Sequence, residues 1–297
     1  MVNAKADLLV DVACQIGEAP LWHPDDNLLY WVDIPRGRIY TYNPISESCS
    51  LAYEGKPISG FTIQTDGSLL LFMHAGEIAL WKSGAISTLL DSVPGSQDTI
   101  FNDTIADPAG RVFVGMKAGN HHKGQLYRLD TDCSLHLLLD DLEEPNGMGF
   151  TPDRKGMYFT DTLAHSIYLF NYDRTTGSIS NQSVFVRVPD EDGIPDGLTV
   201  DAEGCVWSAH WDGGCVVRYS PGGREIGRIG LPVTKVSSIT FGGADYSQLY
   251  ISTSGGDNRE REGELAGSLF GSKTQVKGVP EFRSRVTPNE TRTCSIS

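Results

Sequence analysis

One grammar recurs six times along this chain: an apolar strand, a tight polar turn, then a second strand rich in aromatic and β-branched residues. The copies read APLWHPDDNLLYWVD, GFTIQTDGSLLLFMH, DTIADPAGRVFVGMK, GMGFTPDRKGMYFTD, GLTVDAEGCVWSAH and SITFGGADYSQLYIST. Asp, Asn, Gly and Pro in the turns preset or permit the φ values that a reversal needs, and the flanking residues favour extended backbone. The residues that open the first strands are Glu18, Ser59, Asn102, Asn146, Asp196 and Ser237, at spacings of 41, 43, 44, 50 and 41 residues. A repeat of that length holding three or four strands is one blade of a propeller. The expectation is therefore an all-β, six-bladed β-propeller forming a single domain over residues 1–297. An N-terminal strand at residues 7–13 would pair with the last blade and so close the ring without a free edge. A two-sheet sandwich leaves six in-phase units unexplained, and no segment sustains the 3.6-residue period of a helix.

Charge and composition narrow the function. The chain carries 38 acidic and 24 basic side chains, a net charge of −14, with no run of Lys or Arg. That balance argues against nucleic acid and against an anionic membrane surface as partners. Residues 69–73 are among the longest apolar runs, far short of the roughly 18 residues a spanning helix needs. Asp7 and Asp11 break up any apolar core of a signal peptide. The six cysteines (Cys14, Cys49, Cys133, Cys205, Cys215, Cys294) include no C-x-x-C pair. Reduced thiols and a cytoplasmic location are the expectation. The polar tail, residues 283–297, is expected to be disordered, and oligomeric state leaves no mark in the sequence.

In a propeller the first strand of each blade lines the central channel, so the six opening residues meet around one mouth of it. Two carboxylates and two amides then converge in an apolar interior. Buried like charges are costly unless paired or metal-bound, and oxygen donors of this kind suit a hard divalent cation. The alternative is a ring that hydrogen-bonds a column of channel water, which accounts for the serines better than for Glu18, Asn146 and Asp196.

Four segments, GEAPLWHP (17–24), FNDTIADPAGRVFVG (101–115), PNGMGFTPDRKGMYFTDT (145–162) and PDGLTVDAEGCVW (195–207), resemble signatures of the senescence marker protein/gluconolactonase/luciferin-regenerating enzyme family. Residues 267–282 are similar to its C-terminal motif. The resemblance runs in order along almost the whole chain and implies a six-bladed propeller with a metal site at the channel mouth. It implies metal ligands at Glu18, Asn146 and Asp196 and a substrate-contacting Asn102, with Asp103 beside it. Two departures stand out. Sugar-lactonase members commonly carry an Arg where this chain has Ile100, and some carry an acidic residue in the loop that here spans residues 116–122, with Lys117 and Asn120. Both bear on which hydroxyls the site reads.

The expected activity is metal-dependent opening of a cyclic ester, a sugar-derived lactone, to its hydroxy acid. Asp196 would orient or deprotonate the attacking water, and Asn102, Asp103, Lys117 and Asn120 would contact substrate. One divalent cation is implied, calcium first, with zinc, magnesium and manganese as other candidates. Hydrolysis of other esters or phosphotriesters, and a non-catalytic cation- or ligand-binding propeller, remain alternatives. The chain has no G-x-S-x-G elbow, H-E-x-x-H pair or phosphate-binding P-loop, which sets aside those chemistries.

Overall fold

The computed structural model describes residues 5–287 and 294–296. These residues form six sheets, antiparallel throughout except for one short strand at an outer edge. The first strands of the blades are Gly17–His23, Ile58–Ile63, Phe101–Ala106, Pro145–Phe150, Ile194–Val200 and Val236–Gly242. Each packs against the first strand of the next blade, and the last returns to the first, so the sheets stand in a closed ring. The sixth blade is completed by the N-terminus: Asp7–Val10 pairs antiparallel with Leu269–Lys273 as its outer strand. This is the six-bladed propeller that the spacing anticipates. Among the described residues helix is confined to single turns such as Arg259–Glu262, and no helix is long and apolar enough to cross a membrane.

The ring explains why many strands are apolar on both faces. A blade is sandwiched between two neighbours, so alternate side chains enter different cores. In Leu69–Met73, Leu70 and Phe72 join the cluster shared with blade 3, which includes Phe101, Val112 and Val114. Leu69, Leu71 and Met73 join the cluster shared with blade 1, which includes Tyr30, Val32 and Ile39. Six such clusters fill the six gaps between blades. Each fully buried side chain of this size contributes roughly 1.5–3 kcal/mol relative to exposure, so the blades are held together chiefly from their flanks.

Two expectations fail at the C-terminus. Residues 277–287 cross the face of the ring opposite the strand openings and tie its turns together. Lys277 O accepts from Ala202 N, Gly278 N donates to Tyr246 O, Ser284 N donates to Ile63 O and Arg285 N donates to Gly110 O, while Arg283 pairs with Asp25. Gln64 of the second blade bonds Val286 through both its amide nitrogen and its oxygen. The expected disorder from residue 283 is thus corrected for the described part of the tail. Residues 288–293 and 297, on which it also fell, lie outside the described residues. Farther on, Ser295–Ile296 adds a short parallel strand to the outer edge of blade 3, which brings Cys294 onto Cys133 in a disulfide with a Cα–Cα distance of 4.5 Å. The expectation of six reduced thiols is corrected accordingly. The partners lie 161 residues apart, and only the tail's return path makes them neighbours. Cys14, Cys205 and Cys215 are buried free thiols, and Cys49 is half-buried.

Candidate active site

All six opening residues are buried, and each sits where the pairing of first and second strand slips. The register shifts fall between Glu18 and Leu21, Ile58 and Gly60, Phe101 and Thr104, Pro145 and Met148, Pro195 and Leu198, and Val236 and Ser238. A bulge bends the strand and re-aims a side chain, and six in phase turn these residues towards one mouth of the channel. Glycine follows the opening residue in blades 4 and 5, where the backbones crowd. A Cβ on Gly147 would lie 2.4 Å from Leu198 N, and one on Gly197 2.1 Å from Ser238 Oγ.

The ring divides by chemistry. Ser59 donates to Phe72 O at 3.0 Å, and Ser237 donates to Gly17 O. Both serines are therefore committed to backbone. The other four, Glu18, Asn102, Asn146 and Asp196, line a cavity of ≈ 410 Å³. Asn102 donates its amide nitrogen to Pro145 O at 2.8 Å, and Asn146 donates its own to Thr162 Oγ1 at 3.0 Å. Each amide thereby keeps its carbonyl oxygen for another partner. Glu18 Oε2 accepts the N–H of Ala19 at 3.0 Å.

Electrostatics set the carboxyls apart from ordinary acids. Burial pushes Glu18 well above the usual carboxylate range, and Asp196 and Asp103 push it further. Asp196 is raised in the same way by burial and then by Asp103; Lys117 and an Asn146 hydrogen bond only partly oppose the shift. Buried carboxylates of like sign resist sharing charge. A divalent cation among these oxygens would relieve both penalties, so the donor set fits a hard dication held by Glu18, Asn146 and Asp196. Among the described residues one carboxylate–thiol triad, Asp201, Glu203 and Cys205, has ligand-like spacing. Asp201 is already taken by Arg218, by Trp207 Nε1 and by the N–H groups of Glu203 and Cys205.

The walls above the ring follow a rule of position. The residue two before the opening residue enters the cavity in four blades, as Ile16, Ile100, Glu144 and Ile194. The loops after the second strands supply Ile34, Lys117, Thr162 and Leu163, and the end of blade 5's second strand supplies Trp211. Asp161 holds one of these linkers by accepting the N–H groups of Glu143 and Glu144 at 3.1 and 2.7 Å. Lys117 Nζ meets Glu144 Oε1 at 2.6 Å. Burial alone would lower the lysine's proton affinity, but Glu144, then Asp196 and Glu18, raise it overall.

Two of the expected substrate contacts lie elsewhere. Asp103 points below the ring into a separate channel cavity of ≈ 60 Å³, together with Glu281 and Phe282 from the tail. Burial raises Asp103 to about 6 and Glu281 to about 7. Asp103 thus acts on the site through its field. Asn120 is exposed and its N–H donates to Asp98 at 2.6 Å, away from the cavity lining. His210 is fully buried, with Nδ1 at 3.0 Å from Asp192 O, and burial lowers it to about 4. It is a neutral packing group. Sequence reasoning missed Glu144, Thr162 and Asp161; the two-before rule, applied across blades, would have found Glu144.

A family model described as SMP-30/Gluconolactonase/LRE-like region matches residues 16–255. Over 288 residues the chain is 45% identical to the pentonolactonase XacC of Haloferax volcanii, covering 94% of this chain and 97% of that one. It is 32% identical over 296 residues to human regucalcin, covering 95% and 99%. Among solved structures, a luciferin-regenerating enzyme superposes with a TM-score of 0.87 at 24% identity, covering 96% of this chain and all of the other. A calcium-binding regucalcin from Agrobacterium tumefaciens gives 0.88 at 23%, covering 96% and 98%. At those identities the structural likenesses speak to the fold.

Proposed function

Because the chain belongs to the SMP-30/gluconolactonase/LRE-like family, we propose that it is a lactonase that opens a sugar-derived cyclic ester with the help of one divalent cation. Glu18, Asn146 and Asp196 are the ligands in this reading, and calcium is the first candidate, ahead of zinc, magnesium and manganese. The observation that carries it is the meeting of two buried carboxylates and two oriented amides on the floor of one cavity. The 45% identity to a pentonolactonase supports the choice of lactone as substrate.

When bound, the cation supplies positive charge that polarises the ester carbonyl and stabilises developing oxyanion charge. The chain's own residues do the rest. Asp196 orients the attacking water and accepts its proton, aided by the field of Asp103, which raises its proton affinity. Asn102, held by Pro145 O, and Lys117, held by Glu144, orient the substrate. Tail residues 281–282 line the channel below the ring, so substrate enters from the cavity side.

The test is proton release on a panel of aldonolactones and simple lactones, using chelated protein with each cation added back. Asp196→Asn should abolish cation-dependent turnover. A second reading, a calcium binder without turnover, draws on the description of a structural relative as calcium-binding. It predicts stabilisation by cation with no acid released from any ester. A cytoplasmic location belongs to the proposal only if the Cys133–Cys294 bridge is compatible with it, which free-thiol titration of cytosolic protein decides.

A further inference from the structure

We propose that Lys117 and Glu144 form a donor–acceptor pair that reads hydroxyl groups on one edge of the lactone, while an apolar wall opposite takes an edge that bears none. The inference rests on the lactonase reading and deepens it to a substrate class: a small polyhydroxylated lactone with one bare edge.

The pair is built rather than incidental. Lys117 N–H donates to Ile100 O at 3.1 Å, and its carbonyl accepts Thr99 Oγ1 at 2.8 Å. Glu144 is fixed by Asp161 through its N–H, and its carbonyl accepts Thr162 N at 2.9 Å. Both side chains line the cavity and are partly open to it, at 41% and 23% exposure. Their mutual bond uses one ammonium hydrogen and Glu144 Oε1. Two N–H donors and Oε2 have no other hydrogen-bond partner among the described residues. A vicinal diol offers the complementary set, one oxygen to accept from the lysine and one O–H to donate to the carboxylate.

Placement around the ring gives the pair its direction. Lys117 and Glu144 rise above blades 3 and 4. Above blades 5 and 1 the cavity is walled by Ile194, Trp211, Ile16 and Ile34. The Lys235 ammonium, which is not part of the cavity lining, lies 4.7 Å from the Trp211 ring centroid and supports the indole. A hydroxyl turned towards that wall would lose its water without gaining a partner. Ile100 adds to the selectivity, because it leaves Lys117 as the single basic residue lining the cavity among those described.

The test compares wild type, Lys117→Met and Glu144→Gln on a five-carbon aldonolactone and on the same ring without hydroxyls. The ratio of kcat/KM between the two lactones should fall about 10- to 100-fold in Lys117→Met and by less in Glu144→Gln, which keeps an acceptor. A fall of equal size on both lactones would overturn the proposal, since it would mean that Lys117 acts only through its charge on Glu18 and Asp196. No change in kcat/KM on either lactone would overturn it too. A binding measurement with the corresponding cyclic ether polyol, which has no carbonyl to hydrolyse, separates the two readings. Weaker binding to Lys117→Met than to wild type is expected even if no lactone is turned over; equal binding would refute the pair's role whatever the enzyme does.

Discussion

Chelated protein should become more stable as the pH falls from about 8 towards 6, and a bound cation should reverse that trend. Glu18 and Asp196 hold their protons well above the usual carboxylate range in the folded state, whereas in the unfolded chain they titrate near 4. Between those values the native state binds protons that the unfolded state does not. Stability therefore drops as pH rises, by about 1.4 kcal/mol per pH unit for each carboxyl protonated only in the native state. A divalent cation needs the ionised forms, so its affinity should rise with pH, about tenfold per unit for each proton displaced. At 100 times its dissociation constant a cation adds about 2.7 kcal/mol. For a chain of 297 residues the unfolding entropy is about 0.6 kcal/mol/K, so Tm should rise by about 4 °C. Calorimetry at pH 6, 7 and 8, with chelator and with calcium or zinc, reads both effects. The Glu18→Gln/Asp196→Asn double variant removes surface charge effects from the comparison. It should lose the cation shift and exceed chelated wild type in stability at pH 8. A cation shift equal at all three pH values, or one retained by the double variant, would refute the reasoning.

Asp201→Ala should cost about 3–5 kcal/mol, because it leaves Trp207 Nε1 without its acceptor and the buried Arg218 guanidinium with only the exposed Glu203 carboxylate as an ionic partner; a loss under about 1 kcal/mol in urea unfolding would contradict the assigned network. Gly147→Ala should destabilise by about 1–3 kcal/mol and weaken cation binding, since its Cβ meets backbone of the next blade. Gly230→Ala, whose Cβ meets nothing within 4 Å, is the control, and equal effects would exclude a role for close blade approach. Cys294→Ser should lower stability by up to about 5 kcal/mol on the chain-entropy account of a bridge spanning 161 residues, while leaving cation affinity at the distant cavity unchanged by titration calorimetry.

Phase carried most of what the sequence revealed. Counting from one strand opening to the next located all four polar residues on the cavity floor, because a propeller converts a repeat into a ring. The resemblance added Asp103, adjacent in sequence to Asn102 but aimed into the channel, at the bulge between Phe101 and Thr104. A bulge leaves little trace in polarity patterns when the residues inside it, here Asn102 and Asp103, are both polar. Glu144 was hidden for a different reason. It lies in a linker, where a lone carboxylate reads as solvated surface until Asp161 and Lys117 are seen to hold it. The tail escaped because its anchors are backbone bonds to turns of several blades, and backbone partners have no sequence signature. Cys133 and Cys294 met through that same unmarked path.

The most direct test of the central claim is acid production from a five-carbon aldonolactone by chelated protein, before and after one equivalent of each divalent cation. The account predicts silence with chelator, turnover when a cation is restored, and silence throughout for Asp196→Asn. Undiminished hydrolysis by chelated protein, or by Asp196→Asn, would contradict it.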